Sequence, residues 1–202
     1  MAYASFTDFI TALDKAGELK RIGVPVATEL EITEIADREM KSPGGGKALL
    51  FEKPTIDGRI SPVPVAVNTM GSRRRMAMAL GIESIDELAQ QMQLILKAKP
   101  PTGLREAWTL LRQGIDLLHA RPRHVSDGPC KEVVHLLKDA EPFSLEQLPV
   151  LKCWPQDGGR FVTFPVVHTR DPDTGERNVG MYRMQIYDGR TAGMHWQVHK
   201  VG

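Results

Sequence analysis

The sequence predicts an α+β protein: an N-terminal α/β domain over residues 1–120, followed over 121–202 by the first strands of an antiparallel, barrel-like sheet. Three observations carry this expectation. Apolar residues recur at helical spacing in several segments before residue 118, and short β-branched runs separate those segments. From about residue 160 the period changes from 3.6 to 2. Between the two regimes lie RPRHVSDGPCKEV and AEPFSLEQLPVLKCWPQDGG, rich in turn formers and poor in periodicity, so the boundary is expected between 115 and 155.

From Phe6 onward, Phe9, Ile10 and Leu13 share one helical face, Ser5 or Thr7 can cap the start, and Gly17 suits the stop. ELKRIGVPV reads as strand and turn, and ITEIADREM as a second helix ended by Ser42-Pro43 and Gly44 to Gly46. That glycine run has neither the Lys-Ser/Thr ending of a phosphate loop nor G-x-G-x-x-G spacing, so it reads as a connecting loop before the strand ALLFEKP. PVPVAVNTM is a further strand. Gly71-Ser72 then opens the basic helix RRRMAMALG, whose first amides and Arg73 to Arg75 either face an anion or form a capped, solvated end. In SIDELAQQMQLILKA, Ile85, Leu88, Ala89, Met92 and Ile95 share a face up to the stop at Pro100-Pro101, and LREAWTLLRQGIDLL supplies one more helix.

In the last third, RFVTFPVVHTR, NVGMYRMQIY and GMHWQVHKV read as strands joined by DPDTGE and Asp188-Gly189, an antiparallel meander. Three strands alone leave open edges and part of a core, so they are expected to belong to a larger sheet. With Asp188-Gly189 as a two-residue turn, Tyr187 pairs with Arg190 and Asn178 falls opposite His199. An amide oxygen and an imidazole nitrogen placed so could share a divalent cation or a phosphate. A longer loop through Thr191, Ala192 and Gly193 would slip the register and part them. By residue type alone, Asn178, His199, His195 and His168 also suit ordinary strand ends and surfaces, and Trp196 suits stacking. Arg183 sits mid-strand in an apolar setting and must find a carboxylate, a phosphate or water.

Composition narrows the function classes. Twenty-six Lys+Arg against 25 Asp+Glu leave a net charge of +1, which gives no global field for nucleic acid or an anionic membrane. Cys130 and Cys153 form no C-x-x-C pair and read as reduced thiols, pointing to the cytoplasm. Asp8 and Asp14 in the amphipathic N-terminus fit neither a secretory signal nor a transit peptide, and no apolar run is long enough for a transmembrane segment.

Residues 154–200 carry the opening W-P-x-D-G-G-R-F-x-T, the core N-x-G-M-Y-R and the close G-M-H-W-Q-x-H-K, in that order. This stretch resembles the cofactor-binding region of the UbiD family of prenylated-FMN-dependent decarboxylases. Upstream, S-x-x-x-F-I-x-x-L-x-x-x-G-E-L and N-T-M-G-S-R-x-R-M-A-x-A-L-G resemble that family's N-terminal domain, so the likeness runs through nearly the whole chain. The resemblance implies an FMN-binding split β-barrel for 121–202, and reversible, non-oxidative decarboxylation of an aromatic or α,β-unsaturated acid such as a hydroxybenzoate.

It implies, further, that Asn178 and His199 are ligands of a Mn2+ or Mg2+ ion that holds the flavin phosphate, with K+ a further candidate ion. Thr163, Gly180, Met181 and Tyr182 match positions that contact the cofactor. Val198 stands beside the metal histidine, where some members carry a polar residue. Arg183 matches the arginine that orients the substrate carboxylate beside the flavin. Because Arg183 lies five residues from Asn178, an odd offset, both reach one cofactor only where the strand bulges at Gly180 or bends.

The family places two catalytic glutamates and an acidic third metal ligand further downstream, so this chain is expected to be an N-terminal portion, inactive alone. A flavin prenyltransferase as cofactor supplier and a homo-oligomeric parent complete the implied partners. A flavin-reductase-like split barrel and a non-catalytic assembly subunit are the alternatives.

Overall fold

The computed structural model describes residues 2–96, 125–136 and 143–199. The helix expected in LREAWTLLRQGIDLL and the division at residue 120 lie outside the described residues.

Helix α1 spans Phe6–Lys15; Ser5 caps it, its side chain accepting from the Asp8 amide, and Gly17 follows at φ 70°. Strand β1 (Leu19–Ala27), helix α2 (Glu31–Met40) and strand β2 (Ala48–Ile56) form a β-α-β unit, with β1 and β2 parallel from Leu19↔Ala48 to Ala27↔Thr55. Between Ile22 and Pro25 the register slips. Pro25 has no amide hydrogen for the ladder, which is why the irregularity sits beside it. The other edge of β2 carries β3 (Arg59–Ile60) against Thr55 and Ile56, and β4 (Val65–Val67) against Leu49 to Phe51, both antiparallel.

Alternation along β2 sorts the core onto two faces. Ala48 packs with Phe9, Ile10 and Leu13 of α1 and with Leu19. Leu49 and Phe51 pack with Ile32 and Ala36 of α2 and with Val26. The sheet is therefore covered by α1 on one side and α2 on the other. Helix α3 (Arg73–Leu80) follows, capped by Ser72 and closed by Gly81 at φ 68°, and then α4 (Ile85–Leu96).

The described part of the last third is thinner. Segment 151–152 docks on the first region: Lys152 exchanges backbone hydrogen bonds with Thr28 and Leu30, and Leu151 packs on the α2 cluster. The expected strand RFVTFPVVHTR is two strands, β5 (Arg160–Val162) and β6 (Val166–Arg170), parted at Thr163-Phe164-Pro165. NVGMYRMQIY is likewise β7 (Arg177–Met181) and β8 (Met184–Ile186), parted at Tyr182-Arg183, and the described residues of GMHWQVHKV enter one strand, β9 (Ala192–Met194), through Gly193 and Met194. In place of one meander there are two small antiparallel sheets, β5-β8-β9 and β6-β7, open rather than closed into a barrel among the described residues.

The two-residue turn at Asp188-Gly189 is not formed. Met184 pairs with Met194 and Ile186 with Ala192, so Asp188, Gly189 and Arg190 lie between Tyr187 and Thr191. The reason is local: the Asp188 carboxylate accepts the amides of Arg190 and Thr191 at 2.7 and 2.8 Å, and Gly189 does not enter the left-handed region that the tighter turn requires. These donors hold the Asp188 carboxyl below its ordinary value, the Arg190 amide contributing most.

Candidate functional site

Asn178 lies in β7 opposite Thr169, half-buried on the face that looks toward Tyr182. Its Nδ2 donates to the Tyr182 hydroxyl at 3.2 Å and to Thr169 Oγ1 at 3.4 Å. Among the described residues Oδ1 accepts no hydrogen bond, which leaves the carbonyl end of the amide open for a cation.

Tyr182 is buried, with its ring 5.3 Å from that of Trp196, and it reaches back over Gly180. A Cβ on Gly180 would lie 2.7 Å from Tyr182 Cε2, so a side chain there would push the ring away. Gly180 does not form a bulge: β6 and β7 pair without slippage from Val166↔Met181 to Arg170↔Arg177. The chain bends one step later, at Tyr182-Arg183, and that break resolves the odd offset between Asn178 and Arg183. Asn178 belongs to the β6-β7 sheet and Arg183 to the break before β8, so the alternation of a single strand does not relate their side chains.

Arg183 is half-exposed. Phe161 of β5 lies beneath its guanidinium, 4.1 Å from ring centroid to Cζ, and Nη2 is 3.7 Å from Asp157 Oδ2. Its Nε is buried and has no hydrogen-bond acceptor. The Arg183 carbonyl accepts from the His195 amide at 2.9 Å, extending the β8-β9 pairing by one step. Met181, Tyr182 and Arg183 line a cavity of about 170 Å3 together with His195 and Gln197.

The other expected residues stand apart from that cavity. Thr163 is exposed in the gap between β5 and β6, its hydroxyl donating to the Phe161 carbonyl at 3.4 Å. Val198 is 98% exposed, and His199 is exposed in the turn beyond β9. No strand pairing joins His199 to Asn178, so the cross-strand placement expected from a two-residue turn is not found. Among the described residues no group of three His, Cys, Asp or Glu side chains could hold a metal.

Arg73 to Arg75 form no anion site. Arg73 pairs with Asp86 and Arg74 with Glu18, while Arg75, fully buried, donates to Glu18 and to the carbonyls of Gly45 and Gly46. Asn68, at φ 56°, donates to the carbonyls of Gly45 and Lys47. The glycine loop thus turns its oxygens inward onto an arginine and an amide, the opposite of a phosphate cradle.

Sequence reasoning gave no role to Asp157, Phe161 or Gln197. The first two stand in W-P-x-D-G-G-R-F, whose density was the signal, but only the fold carries that turn to Arg183.

Comparison with known proteins agrees with this architecture. Residues 10–95 match the 3-octaprenyl-4-hydroxybenzoate carboxy-lyase N-terminal domain and residues 123–202 the Rift-related domain of the same family. A protein of Archaeoglobus fulgidus without assigned function is 46% identical over 202 residues, 100% of this chain and 39% of that protein. An Aquifex aeolicus protein, also uncharacterised, is 44% identical over 99% of this chain and 40% of its own length. The chain thus spans about two fifths of the curated relatives it matches.

Among solved structures, vanillic acid decarboxylase of Sedimentibacter hydroxybenzoicus in its open form is 26% identical, with a TM-score of 0.68 over 95% of this chain and 36% of that one. The UbiD-class enzyme HmfF of Pelotomaculum thermopropionicum, solved with FMN, shares the fold at 21% identity and TM-score 0.68, over 96% and 37% of the two chains. Klebsiella pneumoniae 3,4-dihydroxybenzoic acid decarboxylase shares it at 20% and 0.71, over 96% and 37%. With both domain models of one family matched in order along it, the chain belongs to the UbiD family, of which it covers an N-terminal portion.

Proposed function

We propose that this protein serves reversible decarboxylation of an aromatic or α,β-unsaturated acid, with prenylated FMN as cofactor, Mn2+ or Mg2+ as its phosphate clamp and Arg183 as the group that binds the substrate carboxylate. The observation that carries this reading is the buried, unpartnered Nε of Arg183 at the wall of a cavity. A guanidinium edge left without an acceptor is a site for a carboxylate, which a planar fork binds in two parallel hydrogen bonds.

The residue types at these positions suit such a cofactor. Thr163, Gly180, Met181, Tyr182, Arg183 and Val198 would contact it, and Asn178 Oδ1 with the His199 imidazole would hold the metal. Amide oxygen and imidazole nitrogen are donors that Mn2+ accepts. When bound, the prenylated flavin supplies the electron sink for carbon–carbon cleavage, and the protein supplies position and charge. Arg183 would orient the carboxylate and balance its charge. Tyr182, buried at the wall, would keep water from one side of the cavity.

Two neutral ligands make a weak divalent site, so the 202-residue chain unaided is expected to give no turnover. A flavin prenyltransferase as supplier, homo-oligomeric assembly and a cytoplasmic location belong to the same reading. HmfF has been solved with FMN and, in an evolved dimeric form, with prFMN, which supports a flavin as the ligand.

The test is a titration of the chain with FMN and MnCl2, followed by flavin fluorescence and by electron paramagnetic resonance of the bound Mn2+. Saturable binding that Asn178→Ala abolishes is the expected result. Flavin binding indifferent to both the metal and Asn178 would overturn the assignment.

A further inference from the structure

We propose that Asp157 is a positioning residue that sets the direction of the Arg183 guanidinium and keeps its donors free for an incoming carboxylate. The assignment rests on the reading of Arg183 as the carboxylate binder and adds to it a specific partner.

Asp157 is itself fixed. Its Oδ2 accepts from the Trp154 amide at 3.1 Å, and the Asp157 amide donates back to the Trp154 carbonyl at 3.1 Å, closing a reciprocal turn. The glycines that follow are pinned to β8, because Gln185 Nε2 donates to the Gly158 carbonyl at 2.9 Å. Gln185 lies two residues beyond Arg183, so the turn is tied down next to the arginine it addresses. Phe161, three residues beyond Gly158, supplies the ring beneath the guanidinium. One short segment, 154–161, therefore fixes both the plane of the guanidinium, through the ring, and its rotation in that plane, through the carboxylate.

The distance matters as much as the pairing. At 3.7 Å from Nη2, Asp157 attracts the cation but lies beyond hydrogen-bond range, and Nε has no acceptor. Nε and Nη2 form one edge of the guanidinium fork. A carboxylate in contact with that edge would occupy it, whereas one set back by this much orients it without taking its protons. Asp157 is the more buried partner, its side chain 17% exposed against 38% for Arg183, so the better anchored carboxylate directs the more exposed cation.

The experiment uses the full 202-residue chain, 15N-labelled, with the Arg183 Nε–Hε resonance identified by its loss in Arg183→Lys. Asp157→Asn keeps an oxygen for the Trp154 amide and removes the charge, so it preserves the turn; Asp157→Ala removes both. In the wild type the resonance is expected to be shifted by the Phe161 ring and slow to exchange. In Asp157→Asn it should move toward the value of a free arginine, exchange faster, and recover in Asp157→Glu, while backbone amides outside 154–161 and 182–184 stay in place. An Arg183 resonance unchanged in both Asp157→Asn and Asp157→Ala overturns the proposal.

A second arm adds 4-hydroxybenzoate. The expected result is saturable perturbation of the Arg183 signal, about two- to fivefold weaker in Asp157→Asn, as suits a partly exposed ion pair. A wild type that ignores the acid while Asp157→Asn still releases Arg183 overturns the carboxylate reading and upholds the positioning role, so the two ideas fail separately.

Discussion

The region before residue 96 and the region after residue 143 solve the problem of burying a sheet in different ways. The first covers both faces of β2, with Phe51, Leu49, Leu13 and Ile32 fully excluded from solvent, and ties both terminal nitrogens of a buried guanidinium to a carboxylate and two carbonyls. The second has Tyr182 and Ile186 as its buried apolar side chains among those described, and leaves Phe164, Val166, Met181 and Trp196 exposed. Both carry buried arginine nitrogens without an acceptor, Nε of Arg75 in the first and Nη1 of Arg160 and Nε of Arg183 in the second. In Arg75 the rest of the guanidinium is tied to protein, whereas in Arg183 one long ion pair and a ring are the only partners seen among the described residues. Saturated polar groups build a scaffold; unsaturated ones at a cavity wall leave room for a ligand.

The contrast can be broken by mutation. The largest effect is expected from Phe51→Ala, which should lower stability by about 3–5 kcal/mol in urea unfolding, because both the ring and the space it fills are lost. Glu18→Gln should lower it by about 3 kcal/mol, since the Arg75 charge stays buried with its carboxylate gone. A loss as small as that of a surface substitution would show that the first region is not the rigid scaffold described here.

In the second region, Gly180→Ala should lower stability by about 1–3 kcal/mol as the new Cβ displaces the Tyr182 ring. Its signature is a change in Tyr182 to Trp196 energy transfer, which a general loosening of the scaffold would not produce alone. Tyr182→Phe should be milder, about 1 kcal/mol for one hydrogen bond, and should broaden the Asn178 side-chain amide signals without moving β1 or β2.

The smallest effect is a pH dependence of the two hairpin turns. The Asp171 carboxyl is held below its ordinary value of 3.8 by the amide of Thr174 and then of Asp173, as Asp188 is by Arg190. A carboxylate whose folded value is lowered contributes support above its unfolded value and loses it as pH falls through the folded one. The amide shifts of Thr174 and Arg190 should therefore be steady near neutrality and titrate below about pH 3.8. Asp171→Asn should flatten the first of these curves and leave the second.

Much of this molecule is legible in the sequence because its signals are local. Ser5 and Ser72 cap α1 and α3, Gly17 and Gly81 close them, and the periodic faces of α1 and α2 are the faces that are buried. The motifs in 154–200 suffice to assign the family, since residue identity at fixed spacing survives without coordinates. The turn at Asp188 was not legible. Asp-Gly suits a two-residue hairpin, and the competing choice depends on a side chain capturing amides two and three residues on, and on Leu145 donating to the Gly189 carbonyl from a distant segment.

The sequence by itself determined the α+β class, the helices α1 to α4 near their observed bounds, and membership of the UbiD family, because capping, periodicity and motif order are properties of neighbours along the chain. Tertiary structure alone decided three further things: that the strands of 160–194 form two small sheets, that the chain bends at Tyr182-Arg183, and that Asp157 and Phe161 meet Arg183. Strand partners and ion pairs across more than twenty residues are chosen by packing in space, and no short-range pattern encodes that choice.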